Sequence, residues 1–158
     1  MNKETFIKYS HLSLLGFLGL SAIIGGGALI LSPSGKLLGG LPMQILNNSP
    51  FNDFFYPGII LFTILGMLPV LIAWSLIRQP FVPIAEHLNI FKDMYWAWTF
   101  STYIPFALII WIQVETVIIQ GTGWLQTFYI LYAIPMLIVA LLPQTRYRYS
   151  KKHINYQH

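Results

Sequence analysis

The chain alternates between four long oily runs and short polar gaps. The runs cover roughly His11–Ser32, Tyr56–Arg78, Tyr95–Ile119 and Trp124–Leu142. Each holds about 19–25 residues, and about 20 suffice to cross the hydrocarbon core of a bilayer as a helix. The first run is too long for the apolar part of a cleavable leader, and no A-x-A-like site with a soluble domain follows it. The pattern predicts an all-α membrane protein, a four-transmembrane-helix bundle with spans at about 11–32, 56–78, 95–119 and 124–142. An N-terminal tail (1–10) and a basic C-terminal tail (143–158) flank it.

The gaps carry their own patterns. Gln120–Gly123 is short, so the third and fourth spans should form an antiparallel hairpin. In Gln79–Met94, Pro83 suits a first helical turn. Ile84, Leu88, Phe91 and Tyr95 follow at helical spacing, with Glu86, Asn89, Lys92 and Asp93 off that stripe. This predicts one short interfacial helix lying on the membrane. The gap Pro33–Phe55 is broken by Gly and Pro. Its Leu37, Leu38, Leu41, Ile45 and Leu46 are too apolar for water, so it should fold against the helix ends.

Composition agrees with this picture. Of 158 residues, 56% are hydrophobic and 9% charged, against about 25% charged in soluble domains. The absence of cysteine removes disulfides, thiolate metal sites and Cys nucleophiles. The net charge of +4 is informative through its distribution. With four spans both termini share a side, together with the gap between spans two and three. That side holds Lys3, Lys8, Arg78, Lys92, Arg146, Arg148, Lys151 and Lys152, and the other holds Lys36 alone. Basic residues favour the cytoplasmic side, so the expectation is both termini in the cytoplasm of a multi-pass inner-membrane protein. Tyr95, Trp96 and Trp98 would mark the inner interface, and Trp124 the outer one. In the tail, Arg146, Arg148, Lys151 and Lys152 suit contact with anionic lipid, each gaining about 1 kcal/mol near the surface. Nucleic acid is not the expected partner.

Inside the spans, Pro69, Pro105 and Pro135 each remove a backbone donor and free a carbonyl four residues back. Ser101 and Thr102 are placed to help at Pro105. In the first span, Ser21/Gly25 and Ala22/Gly26 have the small-xxx-small spacing of close helix packing, or of a flat surface for a lipid tail. In the third, Thr99, Thr102, Phe106, Ile109, Gln113, Thr116 and Gln120 share one face, and a polar seam should turn inward. Glu115 lies off that seam, near Trp111, Leu108 and Ile118. It has two readings. It reaches headgroup water, Lys36 or the outer loop, or it lines an outward-facing pocket with Asp53, Asn47, Asn48 and Asn52. Asp53 is also a plausible helix cap.

No catalytic signature is present. "AEHLN" lacks the H-E-x-x-H order of a zinc site, and there is no P-loop or G-x-S-x-G. No metal site, cofactor or catalytic residue is expected. Two stretches, "SPFNDFFYPGIILFTILGMLP" (Ser49–Pro69) and "LIIWIQVETVIIQGTGWLQTFY" (Leu108–Tyr129), carry an acid before Pro-Gly, then Trp-x-x-x-Glu and Trp-Leu-Gln. They resemble segments of small, uncharacterised four-helix bacterial inner-membrane proteins. The resemblance implies no activity, and directs attention to the outer ends of spans two to four.

The expected function is therefore non-enzymatic: binding a lipid or small apolar molecule, or serving as an accessory subunit beside other membrane subunits or further copies of itself. The candidate site is Glu115, Asp53, Gln113, Gln126 and Trp111. The alternatives are an oligomeric proton-coupled transporter using Glu115 and, third, a membrane-embedded enzyme.

Overall fold

The computed structural model describes residues 2–39, 43–121 and 123–152, with the side chains of Met43, Ile45 and Asn48 outside that description. The described residues form helices and turns and no strand longer than a single bridge. Four stretches are long and apolar enough to cross a membrane: Lys3–Leu31, Phe55–Arg78, Trp96–Ile119 and Trp124–Leu141. The first is α1. The second comprises α2 (Phe55–Ile60), a π-helical run (Leu61–Met67) and α3 (Leu68–Arg78). A short α4 (Pro83–His87) precedes the third, α5 (Trp96–Ile119). The fourth is α6 (Trp124–Leu141), and α7 (Pro143–Arg148) follows it.

The outward faces show what solvent these helices suit. On α1, Phe17, Leu20, Ile24 and Leu31 are exposed, and on the second span Ile64, Met67, Leu71 and Trp74. Phe106, Ile110 and Val117 of α5 and Leu131, Ile134 and Ile138 of α6 continue the pattern. Polar Ser75, Thr99, Ser101 and Thr102 are buried instead. Oil outside and hydroxyls inside invert the order of a water-soluble bundle.

Helix α1 packs along the whole second span, and glycines set the distance. A Cβ on Gly26 would stand 2.6 Å from Phe62 N and 2.8 Å from Gly58 O. One on Gly19 would stand 2.9 Å from Gly66 O. Backbone therefore meets backbone at two levels, as small residues permit in membrane helices. The stripe in contact is Gly19, Ala22 and Gly26, while Ser21 and Gly25 turn toward a cavity. Two tyrosines tie α6 to α1: Tyr129 Oη and Ser21 Oγ lie 2.9 Å apart, and Tyr132 donates to Leu14 O at 2.9 Å.

The prolines behave less simply than a donor count implies. Pro69 sits in the first turn of α3, and the turns before it are widened. There Leu68 N–H reaches Thr63 O, five residues back. Ser101 and Thr102 do not serve the carbonyl that Pro105 frees, which is that of Ser101. Their hydroxyls donate one turn earlier, to Trp98 O and Thr99 O, both at 2.7 Å.

The end that carries both termini is capped by chain. The expected interfacial helix is one and a half turns long, and Asn89, placed by periodicity away from the apolar stripe, is 1% exposed. Its amide donates to Met94 O (2.8 Å), and its oxygen accepts from Thr99 Oγ1 (2.6 Å) and Phe91 N–H (3.1 Å). Tyr95, Trp96 and Trp98 stand at the start of α5 and turn toward protein. All three are buried, with Tyr95 Oη and Trp96 Nε1 donating to Pro80 O and Trp98 Nε1 to Ala140 O. The basic tail begins with a further helix, α7, which the hydrophobic pattern alone does not announce. Beyond it Tyr95 N–H donates to Tyr149 O (2.8 Å) and Lys151 N–H to Asp93 O (3.0 Å). Tyr149 is 2% exposed, and burial pushes its phenol pKa up.

Candidate functional site

At the opposite end the four spans splay around a cavity of about 380 Å³. Helix α1 contributes Ser21 and Gly25, where the absence of side chain leaves room. The widened turns of the second span contribute Leu61 and Leu65. Leu38 and Leu46 from the long gap lie over it, as expected of that segment. Leu46 is 5% exposed; Leu37 and Leu38 are exposed, Leu41 lies outside the described residues, and so does the side chain of Ile45.

One wall is different. Trp111, Glu115 and Gln126 stand together there, two from α5 and one from α6. Glu115 follows Trp111 by one turn, so both point the same way. The indole and the Gln126 amide lie beside the Glu115 carboxylate. Trp111 Nε1 is nonetheless buried and has no partner in hydrogen-bond geometry among the described residues. Gln126 is held from the other side: its Oε1 accepts Gly123 N–H at 3.1 Å, which closes the first turn of α6. The remaining polar groups of the lining, Ser21 and Tyr129, satisfy each other.

Of the five residues singled out from the sequence, the structure brings together Glu115, Gln126 and Trp111. It does not bring Asp53 or Gln113 to them. Asp53 Oδ1 accepts Phe55 N–H at 3.0 Å, the capping role open to it from its position before α2. Gln113 is exposed on the far side of α5. The inward polar seam holds for Thr99 and Thr102 and fails beyond Pro105, since Phe106, Gln113 and Gln120 are exposed. Glu115 has no ion pair among the described residues, with Lys36 or any other cation. Asp53 is not among the residues lining the cavity, so the two acids do not converge on it.

The four basic tail residues are variously engaged. Arg146 lies 5.9 Å over the Trp98 ring, and Arg148 is 3.9 Å from Glu4. Lys151 pairs with Glu86, while Lys152 is exposed. His11, the first residue of the first oily run, lies within α1. It is 2% exposed, and both ring nitrogens lack a partner among the described residues. No group of His, Cys, Asp or Glu suited to a metal occurs among the described residues.

These features define a helical bundle of membrane-protein type with a one-ended cavity. Neither protein-family models, nor curated proteins, nor solved structures give a match to the chain.

Proposed function

We propose that this is a small integral membrane protein, multi-pass in a bacterial inner membrane, that binds a lipid or small apolar molecule without transforming it. The observation that carries the reading is the cavity between the four spans. At about 380 Å³ it falls within the usual range of ligand sites. Apolar cavities of ~150 Å³ already take up benzene. The bundle toward the termini is filled by Trp98, Ile72, Leu76 and Ile104, each at most 2% exposed. That filling supports a binding site over a path through the bilayer, and so over the transporter reading.

Both termini lie in the cytoplasm in this reading. The eight basic residues at the capped end support that orientation, with Lys36 alone at the other. The short α4 rests at the cytoplasmic interface, where the exposed Phe81, Ile84, Leu88 and Ile90 enter lipid. Lys152 and the outer edge of Arg146 meet anionic headgroups there. Membrane lipids are then the principal partners, and further membrane subunits or copies of this chain the secondary ones.

A substitution that fills the cavity tests the reading. A Cβ on Gly25 meets only Leu61 Cδ2, at 3.6 Å, so the first atom of a larger side chain fits and the rest enters the cavity. Native mass spectrometry of the wild-type protein released from membranes should show a bound lipid-sized mass. Gly25→Phe should lose that mass while keeping its unfolding temperature. A bound mass that survives the substitution, or none in the wild type, removes the proposal.

A further inference from the structure

Resting on the bilayer reading of the four spans and not on the cavity, we infer that two copies of this chain pair through α5. The seam is Phe106, Ile110, Gln113 and Val117, with the two Gln113 amides bonded to each other. Gln113 is the residue that asks for a partner. Helix α5 has 24 residues, about 36 Å at 1.5 Å each, against a hydrocarbon core of about 30 Å. Gln113 stands before its end at Ile119 by about 9 Å along the axis, and so within the core. Its Cα–Cβ bond leans toward the helix N-terminus at the closed end, so the side chain sets out toward mid-bilayer and away from the near headgroups. Exposed threonines of the other spans answer their own hydroxyls: Thr63 donates to Ile59 O at 2.7 Å, and Thr127 to Gly123 O at 3.2 Å. Gln113 is exposed as well, and has no hydrogen bond among the described residues. Lipid tails offer it none, and a polar group unanswered in hydrocarbon is costly.

The face around it has the form of a helix-pairing seam. Phe106, Ile110, Gln113 and Val117 follow one another at steps of four, three and four, the repeat of left-handed coiled coils and of most membrane bundles. Phe106, Ile110 and Val117 are 55%, 64% and 71% exposed, so no described element of the chain covers them. Ile110 and Val117 take the position at which β-branched residues favour two parallel strands, and a polar residue in such a seam fixes register. None of the four is charged, so nothing sets one copy against another. A second copy answers Gln113 without any further protein. A carboxamide both donates and accepts, and across a two-fold axis each seam residue meets its own equivalent. The basic residues, eight at one end against Lys36 at the other, insert every copy the same way up. The axis therefore stands along the bilayer normal, the two α5 helices run parallel, and the two amides meet at one depth. A foreign helix would have to supply its own polar residue at that depth.

The chain has no cysteine, so single cysteines in native membranes test the pairing. Under mild oxidation the full chain carrying Ile110→Cys should run at twice its mass. Ile24→Cys, on α1 and 72% exposed, should stay monomeric. In liposomes, chains labelled through Lys152→Cys should associate by energy transfer. Gln113→Leu should weaken that association about fivefold, the worth of one interhelical side-chain bond. Gln113→Asn, which keeps the amide, should retain most of it. Equal cross-linking from Ile24→Cys and Ile110→Cys would mean chance encounter and sink the seam. Absence of the doubled mass with Ile110→Cys overturns the seam whether or not the labelled chains associate. An adduct of another mass gives the face to a different protein and overturns the second copy. Association unchanged in Gln113→Leu overturns the amide pairing. Should Gln113→Leu fail to fold, the comparison of Ile110→Cys with Ile24→Cys still decides. Gln113 does not line the cavity, so a bound lipid-sized mass without pairing refutes this inference and leaves the proposed ligand standing. Recovery of the wild-type chain outside the membrane fraction overturns both.

Discussion

Asn89 shows how much one side chain can organise. It sits where the backbone leaves helical order, and it answers three polar groups that have no other described partner for that bond: Met94 O, Thr99 Oγ1 and Phe91 N–H. Buried groups left unpaired cost about 1–3 kcal/mol each. Asn89→Ala should therefore destabilise the protein by about 3 kcal/mol, read as a lower unfolding temperature in detergent. Combined with Thr99→Val, the loss should be less than the sum of the two single losses, because the two side chains share one bond. A strictly additive pair would show that the contact contributes nothing. Nothing in the amino-acid pattern distinguishes Asn89 from its polar neighbours Lys92 and Asp93, which are exposed. Its role depends on Met94 and on a threonine in the next helix.

At the scale of elements, the interface of α1 with the second span is set by backbone contact. Gly26→Ala places a methyl 2.6 Å from Phe62 N, an atom of backbone that cannot rotate away. The helices must separate, and the expected loss is about 1–3 kcal/mol. Gly16→Ala meets nothing within 4 Å and, inside a helix, should leave stability unchanged or raise it by up to about 1 kcal/mol. Equal effects from the two substitutions would refute close packing. The four spans were legible in the sequence because length and oiliness are properties of a continuous run. Which face of α5 turns inward was not. Its first turns, Trp96–Thr99, are buried all round, because α7 and the segment Pro80–Tyr95 wrap them. Polar Thr99 and Thr102 are covered there by chain from elsewhere. Past Pro105 only one side is covered, and that side is apolar Leu108, Trp111 and Ile112 with Glu115 among them. A seam drawn through polar residues alone follows the first half of the helix and leaves the second half pointing outward. Of the candidate site, Glu115, Trp111 and Gln126 could be found because each is conspicuous in an oily run. Asp53 was conspicuous for a different reason, the cap it forms.

The molecule as a whole has two unlike ends. One is packed with indoles, closed by α7 and studded with Arg and Lys; the other is open-cored and holds one Lys. The absence of cysteine makes the orientation directly measurable. A cysteine introduced at Lys36 should react with a membrane-impermeant maleimide in intact cells. One introduced at Lys152 should react only after the membrane is opened. The reverse pattern would place the cavity on the cytoplasmic side and undo the assignment of Phe81, Ile84, Leu88 and Ile90 to the inner leaflet.

The pairing of Tyr95 and Asp93 with Tyr149 and Lys151 joins stretches of chain that a ribosome makes at well-separated moments. All four spans have been synthesised by the time the later partner exists. Until those later residues are made, the Pro80–Tyr95 segment stays unfastened and Trp98 lacks the cover that Arg146 gives it. Closure of this end is thus a late step, and a chain cut short before Tyr149 should keep its four long helices while lacking both of these bonds.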